Sequence, residues 1–250
     1  LKPRFLQIVD KQKEQLIEDM KKYSPDVNFK LFPFKPHVKK GPGTEKQLTL
    51  NLFDLHFDKL AWSEETGGNY DTNIAATRFK NALLDLTEKT FHYNVRKIIF
   101  IVGNDFFNTD TAYPYSATTG GTPQDTDLRW QKSFREGRRL IVEGIQFLSN
   151  IAPVKVLIVP GNHDWQKSFY LGDALECYFH NDVNVEIDNR PTPRKYHQYG
   201  KTLIGYTHSD KEKPELLAQL MSIECSQIWG ETKFREFHLA DKHHKKENTC

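Results

Sequence analysis

The sequence predicts a layered α/β fold, and three observations predict it. Short aliphatic runs at residues 48–53, 97–102 and 154–159 carry the β-branched and aromatic enrichment of buried strands. Segments with apolar residues at helical spacing alternate with these runs, the pattern of a layered α/β domain. Each run then ends abruptly in polar residues: Asp54-Leu55-His56, Gly103-Asn104-Asp105, and Pro160-Gly161-Asn162-His163-Asp164. In open α/β sheets the carboxyl edge of the strands is where ligands bind.

Taken in order, residues 5–23 predict a helix with an imperfect stripe of Leu6, Val9, Leu16 and Met20, broken at Ser24-Pro25-Asp26. Residues 24–45 hold Pro33, Pro36 and Pro42 with Gly41 and Gly43, the composition of an extended arm. The chain therefore divides into an amino-terminal helix and arm (1–45) and a main α/β domain (46–250). After the first strand, Ile74, Phe79, Leu83 and Leu86 predict a helix over 72–91. After the second, residues 111–125 (T-A-Y-P-Y-S-A-T-T-G-G-T-P-Q-D) are too long and polar for a simple connection. They start at the polar edge, which makes Thr118, Thr119 and Thr122 candidate substrate contacts; a plain surface loop is the competing reading. A second helix, 128–149, carries Trp130, Phe134, Ile141, Ile145 and Leu148, spaced as core. The last third, with runs at 183–187 and 202–207, is expected to be richer in strand.

Charge narrows the function classes. With 35 basic and 33 acidic residues the net charge is +2, so no global polyelectrolyte footprint exists. Basic clusters are local, at Lys39-Lys40, 190–195 and 242–246, the last beside a candidate ligand, where it could hold a phosphate backbone. The three cysteines, Cys177, Cys225 and Cys250, form no C-x-x-C pair. They predict reduced thiols and a cytoplasmic location. No apolar run approaches the roughly 20 residues of a membrane span, and no membrane partner is expected. A start at Leu1 and an end at Cys250 predict a piece of a longer protein.

The three polar exits share one chemistry. In an extended D-x-H the side chains at i and i+2 project to one side, so Asp54 and His56 could grip one cation together. Asp105 adds a carboxylate, and Asn162, His163 and Asp164 add an amide, an imidazole and a second carboxylate. One such exit is a weak signal, since Asn, His and Asp all suit turns; three in succession are strong. Nitrogen and oxygen donors without sulfur point to Mn, Fe, Zn or Mg.

The succession D-x-H, G-N-D, G-N-H-D and Gly205-Tyr206-Thr207-His208 resembles the calcineurin-like metallophosphoesterase family, across about residues 46–245. The family's second motif is usually G-D, and G-G-D-x-x-H in its DNA-repair exonuclease branch. Here Gly103-Asn104-Asp105-Phe106-Phe107-Asn108 puts Asp105 on the bridging carboxylate and Asn108 in place of the histidine. The closing motif, normally G-H-x-H, matches best at Ala240-Asp241-Lys242-His243, with Asp241 where the first histidine falls and His238 or His244 as competing ligands. The resemblance implies an α/β/β/α sandwich with a dimetal site at the carboxyl ends of the strands. Asp54, His56 and His243 would join Asp105 at one ion, and Asn162, His208 and Asp241 would join it at the other. His163 would face the scissile phosphate and protonate the leaving oxygen, with Asp164 orienting its ring. Asn108, Thr118 and Thr119 are the candidate substrate contacts.

Two divalent ions, with Mn preferred over Fe, Zn or Mg, would serve hydrolysis of a phosphoester. The G-N-D-F-F-N element, the basic residues near His243 and the polar loop favour a DNA or nucleotide phosphodiester, closest to phage and bacterial repair-exonuclease-like enzymes. The alternatives are a phosphomonoesterase on phosphoprotein or metabolite, and a degenerate metal-binding module without catalysis.

Overall fold

A computed structural model describes residues 44–111 and 116–241. The expected helix at 5–23, nearly all of the arm, His243, His244 and the 242–246 cluster lie outside these residues. Among the described residues no helix is long and apolar enough to cross a membrane.

Four parallel strands form the main sheet in the order β1 (Glu45–Asn51), β2 (Asn94–Gly103), β3 (Val154–Val159), β4 (Val185–Asp188). Parallel strands need crossovers, and helices supply them. Between β1 and β2 lie a single turn, α1 (Ser63–Thr66), and α2 (Thr72–Glu88); α3 (Trp130–Ser149) leads to β3, and α4 (Trp165–Phe179) to β4. Helix α2 starts where Asp71 accepts a hydrogen bond from Ile74 N at 2.8 Å, an N-cap that removes one orphan donor. Alternation within β2 sorts its side chains to two faces. Phe100 meets Phe79 of α2 at 6.4 Å between ring centroids, while Ile99 and Ile101 turn to the opposite face.

That opposite face meets a second sheet: β5 (Lys195–Tyr199) antiparallel to β6 (Thr202–Thr207), which is parallel to β7 (Phe234–Leu239). Ile99, Ile101, Leu157 and Val159 of the first sheet pack with Ile204 and Tyr206 of the second, and Phe53 covers the edge. Each such side chain contributes about 1.5–3 kcal/mol by leaving water. The architecture is mixed α/β, with a parallel sheet backed by helices on one face.

The expected first strand, 48–53, ends two residues early, because Asp54 and His56 leave the extended region. The helices expected at 72–91 and 128–149 run Thr72–Glu88 and Trp130–Ser149. The last third holds four strands among the described residues, β4 to β7, yet it also contains α5 (Leu217–Glu224) and α6 (Ser226–Glu231). At eight and six residues they are too short to print a helical stripe on the sequence.

Candidate metal centre

The polar strand exits converge, and a left-handed backbone brings them together. β2 ends at Gly103, with φ +95° and a position where a Cβ would lie 2.1 Å from the Val159 carbonyl oxygen. Asn104 (φ 50°) and Asp105 (φ 62°) continue in the left-handed region, and beyond β1 so do Asp54 (54°), His56 (47°) and Asp58 (84°). Each such non-glycine residue costs about 1–2 kcal/mol, so five in two neighbouring loops persist only because the surroundings over-determine them. The two loops hold each other: Asp54 N donates to Asn104 O and His56 N to Asp105 O, both at 2.9 Å, and Asn108 N returns a bond to Phe57 O at 3.0 Å.

The expected D-x-H geometry is therefore corrected. The segment is not extended, since φ is positive at both Asp54 and His56; the two line one cleft and enter different groups of possible ligands. Potential ligand atoms of Asp54, Asp105 and His208 lie within 4.8 Å of one another, as do those of His56, Asp105 and His163. Asp105 belongs to both groups. The partition implied by the family resemblance, with Asp54 and His56 at one ion and His163 at neither, is not the grouping that these distances give.

Asp105 sits at the centre, with Oδ1 accepting from His163 N at 2.7 Å and Oδ2 lying 3.1 Å from His208 Nε2. Burial alone would raise its pKa, but the hydrogen bond and charge of His208, with the His163 amide, outweigh it and leave the carboxyl below its usual range. Burial pulls His208 the other way, and its bond to Asp105 with the Asp54 and Asp164 charges raises it. Asn162 Oδ1 lies 2.8 Å from the same His208 Nε2, which leaves the buried Nδ1 of His208 with no hydrogen-bond partner. Gly161 makes the close approach possible: a Cβ there would fall 2.0 Å from Asp105 Oδ1.

Asp164 has a different task from the expected one. Its carboxylate does not orient His163; fully buried, it accepts backbone N–H bonds from Gly161 (3.0 Å), Asp105 (3.3 Å) and Phe107 (3.2 Å). It thus ties the loop after β3 to the loop after β2. Burial, then the nearby Asp105 charge, pushes its pKa up to about 7. The His163 ring is oriented instead by the Asn108 carbonyl, 2.8 Å from Nδ1, and meets the His56 ring edge-on at 4.5 Å between centroids. A carbonyl can only accept, so Nδ1 donates to it and Nε2 is the ring atom left for other partners.

Of the candidate substrate contacts, Asn108 and Thr118 are buried. Asn108 Nδ2 donates to Asp125 O at 3.1 Å, and the Thr118 hydroxyl accepts from Thr122 N at 3.2 Å; both close the loop on itself. Thr119 is exposed and donates from N and from Oγ1 to the Asn162 carbonyl, at 2.9 and 2.6 Å, docking the loop onto the site.

Asp241 follows β7 at φ 62° and belongs to neither cluster. The i, i+2 extended geometry expected for Asp241 and His243 does not hold at Asp241, since β7 stops at Leu239. Because β6 and β7 are parallel with Thr207 opposite Leu239, the two strands deliver His208 and Asp241 to one edge. His238 points elsewhere: it meets Asn51, Glu236 at 2.8 Å and the Tyr206 ring, on the strand rather than at its exit.

Three features went unread in the sequence. Gly161 is the first. Asp110 is the second; its two oxygens accept from Gln166 N and Lys167 N at 2.9 and 3.0 Å and so cap α4 from a distant loop. The third is a cleft in which Lys59, Tyr70 and Arg78 join Asp54 and His56. Only the turn-prone D-F-F-N-T-D run hinted at Asp110; the cleft depends on tertiary placement alone.

The donor set fits hard or borderline divalent cations: carboxylates from Asp54 and Asp105, imidazoles from His56, His163 and His208, an amide from Asn162, and no sulfur. The described cysteines, Cys177 and Cys225, stand apart from both clusters. No family model, curated protein or solved structure matches the chain.

Proposed function

We propose that this chain is a dimetal-dependent phosphoester hydrolase, a phosphodiesterase or nuclease acting on DNA or nucleotides, with the α/β/β/α architecture of the family it resembles. The observation that carries the reading is the double membership of Asp105 in the Asp54–His208 and His56–His163 clusters. A carboxylate shared between two sets of donors is what a pair of closely spaced cations requires. Asp54, Asp105, His208 and Asn162 would hold one ion, and His56 with Asp105 the other. Mn is the preferred metal, with Fe, Zn or Mg as alternatives. When bound, such ions clamp a phosphoryl group and lower the pKa of a water that attacks it.

The chain's own groups supply the rest. His163, with Nδ1–H held by Asn108 O, presents Nε2 as the atom that can exchange a proton with a leaving oxygen. Asp164 keeps the loops of Asp105 and His163 at fixed separation, so that the pair needs little reorganisation during reaction.

The test is metal content by elemental analysis, with hydrolysis of bis-p-nitrophenyl phosphate compared against p-nitrophenyl phosphate under added Mn. The reading expects two equivalents of metal, faster turnover of the diester, and loss of both metal and turnover in Asp105→Asn. Preference for the monoester would favour a phosphatase. Bound metal without turnover of either ester would leave a non-catalytic module.

A further inference from the structure

We propose that the cleft formed by Lys59, Tyr70 and Arg78 beside Asp54 and His56 is a subsite for the nucleotide that flanks the scissile bond in a polynucleotide strand. The proposal rests on the hydrolase reading for the identity of the scissile bond, but binding to the cleft can be tested without it.

The cleft has a volume of about 470 Å³, and the candidate ligands Asp54 and His56 and the cations Lys59 and Arg78 all line it. That volume lies within the range of a small-molecule site and is too large for a phosphate group alone. Its Tyr70–Arg78 pair is built onto the ligand loop. The Tyr70 hydroxyl donates to the carbonyl of Leu55, the residue between Asp54 and His56, and the Arg78 guanidinium lies 5.0 Å above the Tyr70 ring. Ala61 and Tyr70, which also line the cleft, hold each other by reciprocal backbone bonds at 2.9 Å. Neither Lys59 nor Arg78 forms an ion pair among the described residues, and both are exposed. The one acid lining the cleft, Asp54, faces the candidate metal centre.

This is the arrangement a diester chain requires and a monoester does not. With one phosphate of the strand at the candidate metal centre, a neighbouring phosphate would fall to Lys59 and Arg78. Phosphate contacts of this kind fix register along the backbone. The cleft also holds an aromatic ring and a guanidinium side by side, the two kinds of group on which a base can stack. A substrate with a single phosphate and a small leaving group would leave both cations unused.

The experiment measures binding of a fluorescein-labelled single-stranded oligodeoxynucleotide by anisotropy, in EDTA so that no turnover occurs, over a series of salt concentrations. Arg78→Gln and Lys59→Gln should each weaken binding about threefold to tenfold and reduce the slope of log K against log salt by about 1. Unchanged affinity and slope in the double variant, or no binding by the unaltered chain at low salt, would overturn the proposal. With Mn present, the double variant should lose at least tenfold more kcat/KM on the oligonucleotide than on bis-p-nitrophenyl phosphate, which carries one phosphate. Equal losses on the two substrates would also overturn it, since the cations would then act on the site as a whole. Should the chain hydrolyse nothing while the binding losses hold, the hydrolase reading fails and the cleft stands.

Discussion

Replacing Gly161 with alanine should disable the site through a single methyl group. The new Cβ would lie 2.0 Å from Asp105 Oδ1, 2.5 Å from Asp105 N and 2.7 Å from its Cγ, where ordinary contact begins near 3.4 Å. Relief needs about 1.4 Å of movement by a carboxylate that is buried and tied to His163 N and His208. A misplacement of about 1 Å at a reacting centre can lower rate about 10²-fold, and overpacking of this kind costs about 1–3 kcal/mol of stability. The backbone of Gly161 is not left-handed, so the methyl acts by contact and not by dihedral strain. Turnover of bis-p-nitrophenyl phosphate, metal content and the denaturant midpoint should be measured together on Gly161→Ala. The expected outcome is a loss of about 10² in kcat, with fewer than two metals bound, in a protein that still unfolds cooperatively. Turnover within twofold of the unaltered chain, with full metal content, would refute the idea that Asp105 is held in one place by the loop after β3.

Other outcomes follow from the same geometry. His163→Gln should retain both metals and lose about 10²–10⁴ in rate, the range for a general acid; loss of one metal equivalent instead would make His163 a ligand, as its grouping with His56 and Asp105 allows. Asp241→Ala should weaken one metal equivalent in a titration, since β6 and β7 deliver Asp241 to the edge that carries His208; unchanged affinity for both would place the residue outside the centre. His197 gives a pH prediction away from the site. Burial, then the Lys97 and Lys155 charges, lowers its pKa to about 4, with Nε2 2.7 Å from Gln47 Oε1. A group depressed from 6.5 in the folded state is neutral there while the unfolded chain takes up a proton. Stability is therefore full above pH 6.5 and falls as the pH drops towards 4, by about 1 kcal/mol at pH 5 after discounting for partial exposure. His197→Gln should flatten that limb in urea unfolding at pH 7 and pH 5; parallel losses in both proteins would assign the acid sensitivity elsewhere.

The parallel sheet was legible because buried parallel strands must be aliphatic along their length, and residues 97–102 and 154–159 are. The strand exits were legible for a related reason: polar residues directly after such a run have no place in the core. Local pattern could not disclose backbone conformation at those exits. D-x-H was expected to be extended, whereas φ is positive at both Asp54 and His56. Nor could it disclose the task of Asp164, whose partners Phe107 and Asp105 lie 57 and 59 residues away in sequence. β5 and β7 were not legible because K-Y-H-Q-Y and F-R-E-F-H-L mix charge with aromatics and carry no aliphatic run. Lys59 and Arg78 were invisible as a pair, being brought to one cleft by the packing of α2 on the ligand loop.

The division between rigid and recognising parts is physical. Asp105, His163 and His208 emerge from strand ends tied by Asp164, whose three accepted backbone bonds bind two loops into one unit. Lys59 and Arg78 are exposed and carry their charge on long side chains that contact no carboxylate among the described residues. Chemistry that depends on the first set needs fixed distances, so its variants should change kcat. Binding that depends on the second needs charge and reach more than geometry, so its variants should change KM and its salt dependence. A Lys59 or Arg78 variant that lowered kcat alone, on a short diester as on a long strand, would show that the cleft belongs to the reacting centre and not to the strand beside it.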